Sequence, residues 1–413
     1  MYLCNFERLS NTLLTMQNIR KISEDLIYVG VSDHKLELFE NVYPIPKGVS
    51  YNSYVLQDEK TVLMDCADIL VCEQFIANVQ AALEGKPLDY IVVQHMEPDH
   101  GATLEQVVEV YPEAKVVTNA RAAGMIRQFF DFDIDSRLQL VNEGDTLNTG
   151  RHTLTFVNAP MVHWPEVMVT YDTTDKVLFC ADAFGTFGAL DGILYADEVD
   201  FDRDWLDEAR RYYINIVGKY GVQVQGLLKK AAGLEIAMLC PLHGPVWRRE
   251  IAYFVEKYDI WSRYAAEEKG VLLVYGTIYG HTGAVCERLA AMLNERGIKT
   301  AVYDASRTHA SQLVSEAFRY SHLVLGASTY NNGIFTPIEN LLADLKAHNF
   351  QNRKVSLVEN GSWAPQSGKL MRAEMEGLKN MTLVGDTFSI KSAMKASQEE
   401  ALVALADSIA ATM

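Results

Sequence analysis

Short runs of β-branched and apolar residues recur through residues 1–263, and each run stops at a polar side chain. A rigid scaffold can build a functional site by placing one side chain at the end of each of several strands. Between the runs, apolar residues at 104, 107, 108 and 111 follow the spacing of an amphipathic helix. The pattern predicts a sandwich of sheets with helices outside. The runs, each with the side chain that follows it, are Thr61–Met64 with Asp65, Tyr90–Gln94 with His95, Leu154–Val157 with His163, Val177–Ala181 with Asp182, and Ile236–Leu242 with His243.

From about Lys269 onward the pattern changes to a regular alternation of strands and helices. Five strands joined by crossover helices predict a doubly wound parallel sheet, which binds ligands at its carboxyl edge. The segment Tyr264–Gly270 is the expected boundary, so we predict domains at 17–263 and 270–413. The strands are predicted at Val271–Tyr275, Thr300–Tyr303, Leu323–Gly326, Val355–Val358 and Thr382–Val384, and helices at Ala284–Arg296, Pro337–Ala347 and Leu370–Leu378.

Size and charge narrow the function classes. A chain of 413 residues is too long for one ordinary core, which agrees with two domains. The net charge of -17 argues against nucleic-acid partners and against adhesion to anionic membranes. No apolar stretch reaches the roughly 18 residues that span a bilayer, and the N-terminus lacks a signal pattern. A soluble cytoplasmic protein is therefore expected. Residues 1–15 precede a natural-looking start at Met16 and are expected to be a disordered extension.

The cysteines give no sign of a metal knuckle. They are scattered and form no C-x-x-C pair, so a zinc ribbon, a rubredoxin knuckle or an iron–sulfur site is not expected. Buried, reduced thiols are the better interpretation. The six residues are Cys4, Cys66, Cys72, Cys180, Cys240 and Cys286.

Four side chains of metal-ligand type lie within six positions after the run that ends at Gln94. An acidic turn after a strand is the plain alternative, but a solvated turn does not need two imidazoles. With the later strand-end residues the candidates become enough for two metals, provided that one carboxylate bridges them. The full set is His95, Glu97, Asp99, His100, His163, Asp182 and His243.

This pattern resembles the metallo-β-lactamase fold, whose hydrolases carry H-x-H-x-D-H at this place. Glu97 stands where those hydrolases have the middle histidine. A hard oxygen donor there moves metal preference from zinc toward iron. With the downstream ligands, and with the segments 179–185 and 241–245, the chain looks like a flavodiiron protein. That resemblance implies one iron on His95, Glu97 and His163, a second on Asp99, His100 and His243, and Asp182 as the bridging carboxylate.

Two further residues near this set have open interpretations. Asp65 could orient a ligand imidazole from outside the metal site, or it could simply cap a helix. Tyr195 is a candidate for a hydrogen bond to a bound intermediate. No other catalytic residue is expected beyond the metal ligands.

A second constellation follows the first strand of the C-terminal half. Gly276–Gly283 carries small and hydroxyl residues just before a helix, where backbone N–H groups and the helix dipole favour a phosphate. The segment resembles the flavodoxin phosphate loop, with His281 where Asn is common. Two further loops at strand ends are expected to hold the isoalloxazine ring, and Trp363 offers a flat face for stacking. The predicted FMN-binding residues are Thr277, Ile278, Tyr279, Gly280, His281, Thr282, Ser328, Thr329, Tyr330, Asn331, Asn332, Gly333, Asn360, Gly361, Ser362, Trp363 and Ala364.

Together the resemblances imply an α/β protein: an N-terminal metallo-β-lactamase-like αββα sandwich followed by a flavodoxin-like doubly wound parallel sheet. They also imply an oxidoreductase with two non-haem irons and FMN, which reduces dioxygen to water, nitric oxide to nitrous oxide, or both. A head-to-tail homodimer or a dimer of dimers is expected, with electrons from a rubredoxin or a reduced deazaflavin. The alternatives are a dinuclear zinc hydrolase with an appended flavodoxin domain, and an electron carrier or redox sensor with a degenerate metal site.

Overall fold

The computed structural model of the protein describes residues 18–413, so the expectation for residues 1–15 lies outside the described residues. The chain forms two compact units. The first extends to Tyr213 and resumes at Val222–Glu256, and the second comprises Ile214–Gly221 and Lys257–Met413. The structure thus assigns residues 257–263 and a short earlier segment to the second unit, which the predicted limits of 17–263 and 270–413 did not include.

The first unit is built on two large sheets. Its strands, in chain order, are β1 (Arg20–Lys21), β2 (Leu26–Tyr28), β3 (Val31–Asp33), β4 (Leu38–Phe39), β5 (Tyr43–Pro44), β6 (Val49–Tyr51), β7 (Tyr54–Leu56), β8 (Val62–Met64), β9 (Tyr90–Val92), β10 (Lys115–Thr118), β11 (Leu138–Leu140), β12 (Thr146–Asn148), β13 (Thr153–Asn158), β14 (Met168–Asp172), β15 (Val177–Phe179) and β16 (Met238–Cys240). One sheet has the order β1-β2-β7-β8-β9-β10-β11, and the other runs from β12 to β16 in sequence. Strands β3 and β6 form a separate pair, as do β4 and β5.

The two sheets share one hydrophobic core. Met64 and Val92 of the first sheet belong to the same buried cluster as Phe156, Phe179 and Cys240 of the second. Burial of both inner faces in one layer is the packing of a sandwich. The predicted sandwich is therefore confirmed.

Helices connect and cover these strands. The amphipathic helix predicted near residue 104 is present as α3, which buries Leu104, Val107 and Val108. Helix α4 begins after Asn119, whose side chain accepts hydrogen bonds from two backbone N–H groups of its first turn. The helices up to residue 262 are α1 (Cys72–Leu83), α2 (Pro98–Gly101), α3 (Leu104–Val110), α4 (Ala120–Phe129), α5 (Phe201–Asp204), α6 (Leu206–Tyr212), α7 (Gly221–Ala231) and α8 (Ile251–Ser262).

The second unit is a doubly wound sheet, as predicted. Its strands are β17 (Glu268–Gly276), β18 (Thr300–Asp304), β19 (Tyr320–Tyr330), β20 (Gly333–Ile334), β21 (Lys354–Asn360), β22 (Thr382–Leu383) and β23 (Phe388–Ile390). Its helices are α9 (His281–Glu295), α10 (Ala310–Arg319), α11 (Thr336–Ala347), α12 (Ser367–Glu376) and α13 (Glu399–Ala410). The sheet order is β18-β17-β19-β21-β22, and β23 also pairs with β21. These pairings are parallel, whereas β20 pairs antiparallel with β19.

Side-chain alternation along β17 explains why both faces of this sheet are covered. Val271 and Leu273 share a buried cluster with Leu289 of α9 and with residues of α13. Since successive strand residues point to opposite faces, the fully buried Leu272 and Val274 face the other layer. The carboxyl edge of the sheet stays open to a ligand.

Two compositional expectations can be compared with the structure. Cys66, Cys72, Cys180, Cys240 and Cys286 are buried free thiols, as predicted, and Cys4 lies outside the described residues. Across residues 18–413, no helix has both the length and the apolar character needed to cross a membrane.

One buried histidine makes the second unit sensitive to acid. The His322 side chain is fully buried in β19, and its Nε2 lies 3.0 Å from Ser356 Oγ. The Ser356 hydroxyl donates to Val384 O at 2.8 Å, so it accepts its other hydrogen bond from His322 Nε2–H. Burial, assisted by the charge of Lys354, lowers the pKa of His322 to about 3. The imidazole is therefore neutral in the folded protein.

We expect the His322→Asn variant to lose part of the pH dependence of stability. Below about pH 6.5 His322 binds a proton in the unfolded chain but stays neutral in the folded protein. The neutral imidazole therefore contributes a free energy of unfolding that is present above pH 6.5 and is lost as the pH falls toward 3. Between pH 7.5 and 5 the wild type should lose about 2 kcal/mol more free energy of unfolding than the variant. Urea unfolding of the full chain at both pH values measures the difference, and equal losses would contradict the assignment.

Candidate functional site

The four clustered ligands stand on two kinds of backbone. Strand β9 ends at Val92, so His95 and Glu97 lie in the loop that follows, whereas Asp99 and His100 lie in helix α2. Proline at the first position of that helix suits its start, because the missing N–H would have no helical partner there. The sequence predicted all four at a strand end. In the structure His95 and Glu97 precede the short helix, and Asp99 and His100 lie within it.

The other three ligands come from the second sheet. His163 lies in the loop between β13 and β14, while Asp182 and His243 each lie three residues beyond the ends of β15 and β16. Those two strands are parallel neighbours, so their carboxyl ends deliver Asp182 and His243 to the same edge.

The structure brings all seven predicted ligands together as two groups. In each group the donor atoms lie within 4.8 Å of one another. The seven residues are at most 8% exposed. The groups are His95, Glu97, His163 and Asp182, and Asp99, His100 and His243.

Asp182 lies between the two groups. Its Oδ2 is 3.1 Å from His95 Nε2 and 3.2 Å from His163 Nε2. Its Oδ1 is 3.3 Å from His100 Nε2 and 3.7 Å from His243 Nε2. Each oxygen of one carboxylate thus faces one donor group, which is the geometry of a bridging ligand.

The donor set fits a pair of cations. Both carboxylate oxygens of Asp99 and of Asp182 are buried and accept no well-aligned hydrogen bond within the described chain. A buried carboxylate without a partner is costly unless a cation compensates it. Burial opposes charge on Glu97 and Asp182, yet the surrounding imidazoles hold the pKa of both carboxyls below the usual range. Both carboxylates are therefore anionic and available to a metal.

Contacts on the outer side of two imidazoles fix their orientation. His95 Nδ1–H donates to Glu166 Oε1 at 2.7 Å, and His243 Nδ1–H donates to Ser50 O at 2.7 Å. In each ring the Nε2 lone pair therefore remains available to a metal. Sequence reasoning missed Glu166, although its position three residues after His163 was the available signal.

Asp65 has a role that neither interpretation anticipated. Among residues 18–413 it caps no helix and makes no hydrogen bond to an imidazole. Its carboxylate accepts from Gln94 N and from Gln94 Nε2, each at 2.7 Å. Burial raises the pKa of Asp65 to about 6, and the hydrogen bonds from Gln94 oppose that rise. Asp65 thus fixes the backbone immediately before His95.

Glu40 is a second neighbour of the ligands that the sequence did not reveal. It stands on an exposed stretch in a left-handed conformation with φ of 51°. Burial of its carboxyl and the nearby Glu97 carboxylate raise the pKa of Glu40 to about 8.

Tyr195 makes its contacts in the core and with Arg248. Its ring belongs to the core between the sheets, and the Arg248 guanidinium lies 3.5 Å from the ring centroid. Within the described chain, no hydrogen bond or ring contact joins Tyr195 to the seven ligands.

A cavity of about 800 Å³ opens at the carboxyl ends of β17, β19 and β21. Its volume lies in the range of small-molecule and cofactor sites. Gly280, Thr282 and Gly333 do not line it, and Ser392 does although the sequence did not point to it. The lining residues are Thr277, Ile278, Tyr279, His281, Ser328, Thr329, Tyr330, Asn331, Asn332, Asn360, Gly361, Ser362, Trp363, Ala364 and Ser392.

The walls of this cavity suit a phosphorylated aromatic ligand. Gly280, with φ of 92°, donates its N–H to Thr277 Oγ1 at 3.0 Å just before α9 begins. That turn presents the N-terminus of α9 to the cavity, and a helix N-terminus favours phosphate binding. Tyr279 and Trp363 are 90% and 88% exposed, so their faces are free to stack on a ring.

Hydrogen bonds beneath the cavity join three of its loops. The buried Thr282 hydroxyl lies 3.0 Å from Ser328 Oγ and 3.3 Å from Asn360 Nδ2. Ser392, in a left-handed conformation, donates its N–H to Asn360 Oδ1 at 3.0 Å, and its Oγ lies 2.9 Å from Ser362 Oγ. Ser392 follows β23. Its contact with Ser362, in the loop that carries Trp363, could not be predicted from the sequence.

Comparisons with known proteins give matches for both halves of the chain. Residues 49–244 match the family model described as ODP family beta lactamase, and residues 273–401 match the flavodoxin model. The chain is 31% identical to an uncharacterized protein of Methanocaldococcus jannaschii, over 79% of this chain and 81% of that protein. It is 30% identical to the anaerobic nitric oxide reductase flavorubredoxin of Pectobacterium atrosepticum, over 83% of this chain and 68% of the relative. Rubredoxin oxygen:oxidoreductase from Desulfovibrio gigas superposes with a TM-score of 0.87 at 27% identity, covering 95% of this chain and 98% of the other.

We expect Thr282→Ala and Trp363→Ala each to weaken FMN binding about tenfold or more. The first removes a hydroxyl that joins two cavity loops, and the second removes an aromatic face. FMN released per chain and the flavin absorbance measure the loss. Val222→Ala, which trims an exposed apolar residue of α7, is the control. Full FMN retention in both cavity variants would contradict the assignment of these loops.

Proposed function

This chain belongs to the flavodiiron protein family, and from that premise we propose that it reduces dioxygen to water, nitric oxide to nitrous oxide, or both. It is an oxidoreductase with a flavodoxin-like FMN domain and a diiron site. When bound, FMN supplies stepwise electron transfer and the iron pair supplies a reducing site for a small gas. Nitric oxide reductase and oxygen:oxidoreductase both occur among the names of the similar proteins, so both gases are proposed here.

The placement of Asp182 between two donor groups is the observation that carries the proposal. Each of its oxygens lies near the imidazoles of one group. We assign the first iron to His95, Glu97 and His163, the second to Asp99, His100 and His243, and Asp182 to both. Glu97 as a hard oxygen donor supports iron over zinc.

The chain's own residues control access to this centre. Glu97, Asp99 and His163 are 7%, 8% and 7% exposed, whereas the other ligands are almost fully buried. A gas would therefore approach from the side of those three residues.

Electrons enter, in this proposal, at the cavity of the second unit. We assign FMN to the predicted loops around Thr277, Ser328 and Asn360, with a rubredoxin or a reduced deazaflavin as donor. Any part of the exposed Tyr279 and Trp363 rings that does not stack on FMN is a surface that a protein partner would cover. A head-to-tail homodimer or dimer of dimers would bring one chain's flavin close to its partner's irons. A monomer that turns over at full rate would contradict that assembly.

Anaerobic stopped-flow of the reduced protein against each gas tests the function. We expect rapid reoxidation of FMN by at least one of dioxygen and nitric oxide, in protein that contains about two irons and one FMN per chain. Iron, zinc and FMN should be quantified in the same sample. Equally slow reoxidation by both gases would contradict the proposal, and two zinc ions without gas reactivity would favour the hydrolase alternative.

A further inference from the structure

The two iron sites assigned above have the same kinds of direct ligand. Each has two histidines and one carboxylate of its own, namely Glu97 in one group and Asp99 in the other, and Asp182 is shared. The direct ligands therefore give both sites the same formal charge. Chain groups outside the direct ligands can therefore distinguish the two irons by charge.

One such group acts on only one of the two sites. The nitrogen that faces away from the metal site is Nδ1, here called the outward nitrogen. In His95 it donates to the Glu166 carboxylate at 2.7 Å, whereas in His243 it donates to a neutral carbonyl, Ser50 O. The outward nitrogen of His100 has no hydrogen-bond partner in the described part of the chain. A carboxylate at this position is found, among the described residues, only on His95.

Glu166 is held so firmly that its carboxylate keeps this position. Its side chain is fully buried, and Oε1 also accepts from Met96 N at 3.0 Å. Asn119 Nδ2 donates to Glu166 O at 2.6 Å, and Arg121 Nη1 donates to Pro165 O at 3.0 Å. Both anchors stand at the start of α4. The segment that supplies His163 to the first iron thus also supplies the carboxylate that orients His95.

A carboxylate that accepts the imidazole N–H draws that proton toward itself. The ring becomes a stronger electron donor to a metal at Nε2, and a neutral carbonyl does this less. A stronger donor stabilises the higher oxidation state of the metal that it binds. His95 is therefore the better donor among the imidazoles whose outward contacts are known.

We propose that Glu166 is a positioning residue that makes the first iron, on His95, Glu97 and His163, the more easily oxidised of the pair. The assignment of irons to the two groups rests on the proposed function. The consequence is an ordered centre in which one iron gives up its electron before the other.

The Glu166→Gln variant of the full-length protein, loaded with ⁵⁷Fe and FMN, tests this proposal. Glutamine keeps the size of the side chain and a hydrogen-bond acceptor for His95 but removes the charge. In Mössbauer spectra of the reduced protein we expect two quadrupole doublets, of which only one changes in the variant. In redox titration we expect the comproportionation constant to fall about tenfold. This constant measures how far the fully reduced and fully oxidised centres convert into the state with one iron oxidised.

Glu316→Gln is the matched control, because Glu316 is a buried glutamate of the second unit that pairs with Arg319. It should leave both doublets unchanged. Equal changes in both doublets of Glu166→Gln, or an unchanged spectrum and titration, would overturn the proposal. A single doublet in the wild-type protein would overturn it without any variant. Failure of the proposed function is distinguishable, since the wild type would then lack two irons or react with neither gas.

Discussion

Burial of four imidazoles and three carboxylates at one edge of a sandwich is the constraint on which the rest of the first unit depends. A carboxylate as buried as Asp182 is stable only beside compensating charge. The chain meets this need with ligands from a short helix and from the loops that follow its strands. Left-handed non-glycine residues occur beside several of them, including Asp65, Met161 and Ala181. Such strain persists only where the surrounding structure holds it, which is common at functional sites.

The residues of the two donor groups could be predicted from the sequence because each of them carries a local signal. His95 to His100 fall within six positions, and the remaining three follow strand-like runs. Glu166 and Ser392 could not be found in this way. The contact of Glu166 with His95 spans 71 residues, and the contact of Ser392 with Asn360 spans 32. Only packing of the sheets and loops creates those pairs.

The architecture followed from residue patterns for a similar reason. Alternation of strands and helices after residue 269 specifies crossover connections, and these favour a parallel sheet. The length of β19, which has 11 residues where four were expected, depends on pairing with both β17 and β21. The assignment of Ile214–Gly221 to the second unit also depends on tertiary contacts. No local signal marks that short segment.

We infer that one carboxylate, Asp182, links two irons into one centre. Electron paramagnetic resonance of the fully oxidised protein tests it directly, with iron content measured beside the spectrum. Two ferric ions joined through a bridge couple antiferromagnetically, so two irons per chain and no signal from isolated high-spin ferric iron are expected. A strong signal that accounts for both irons as independent ions would contradict it.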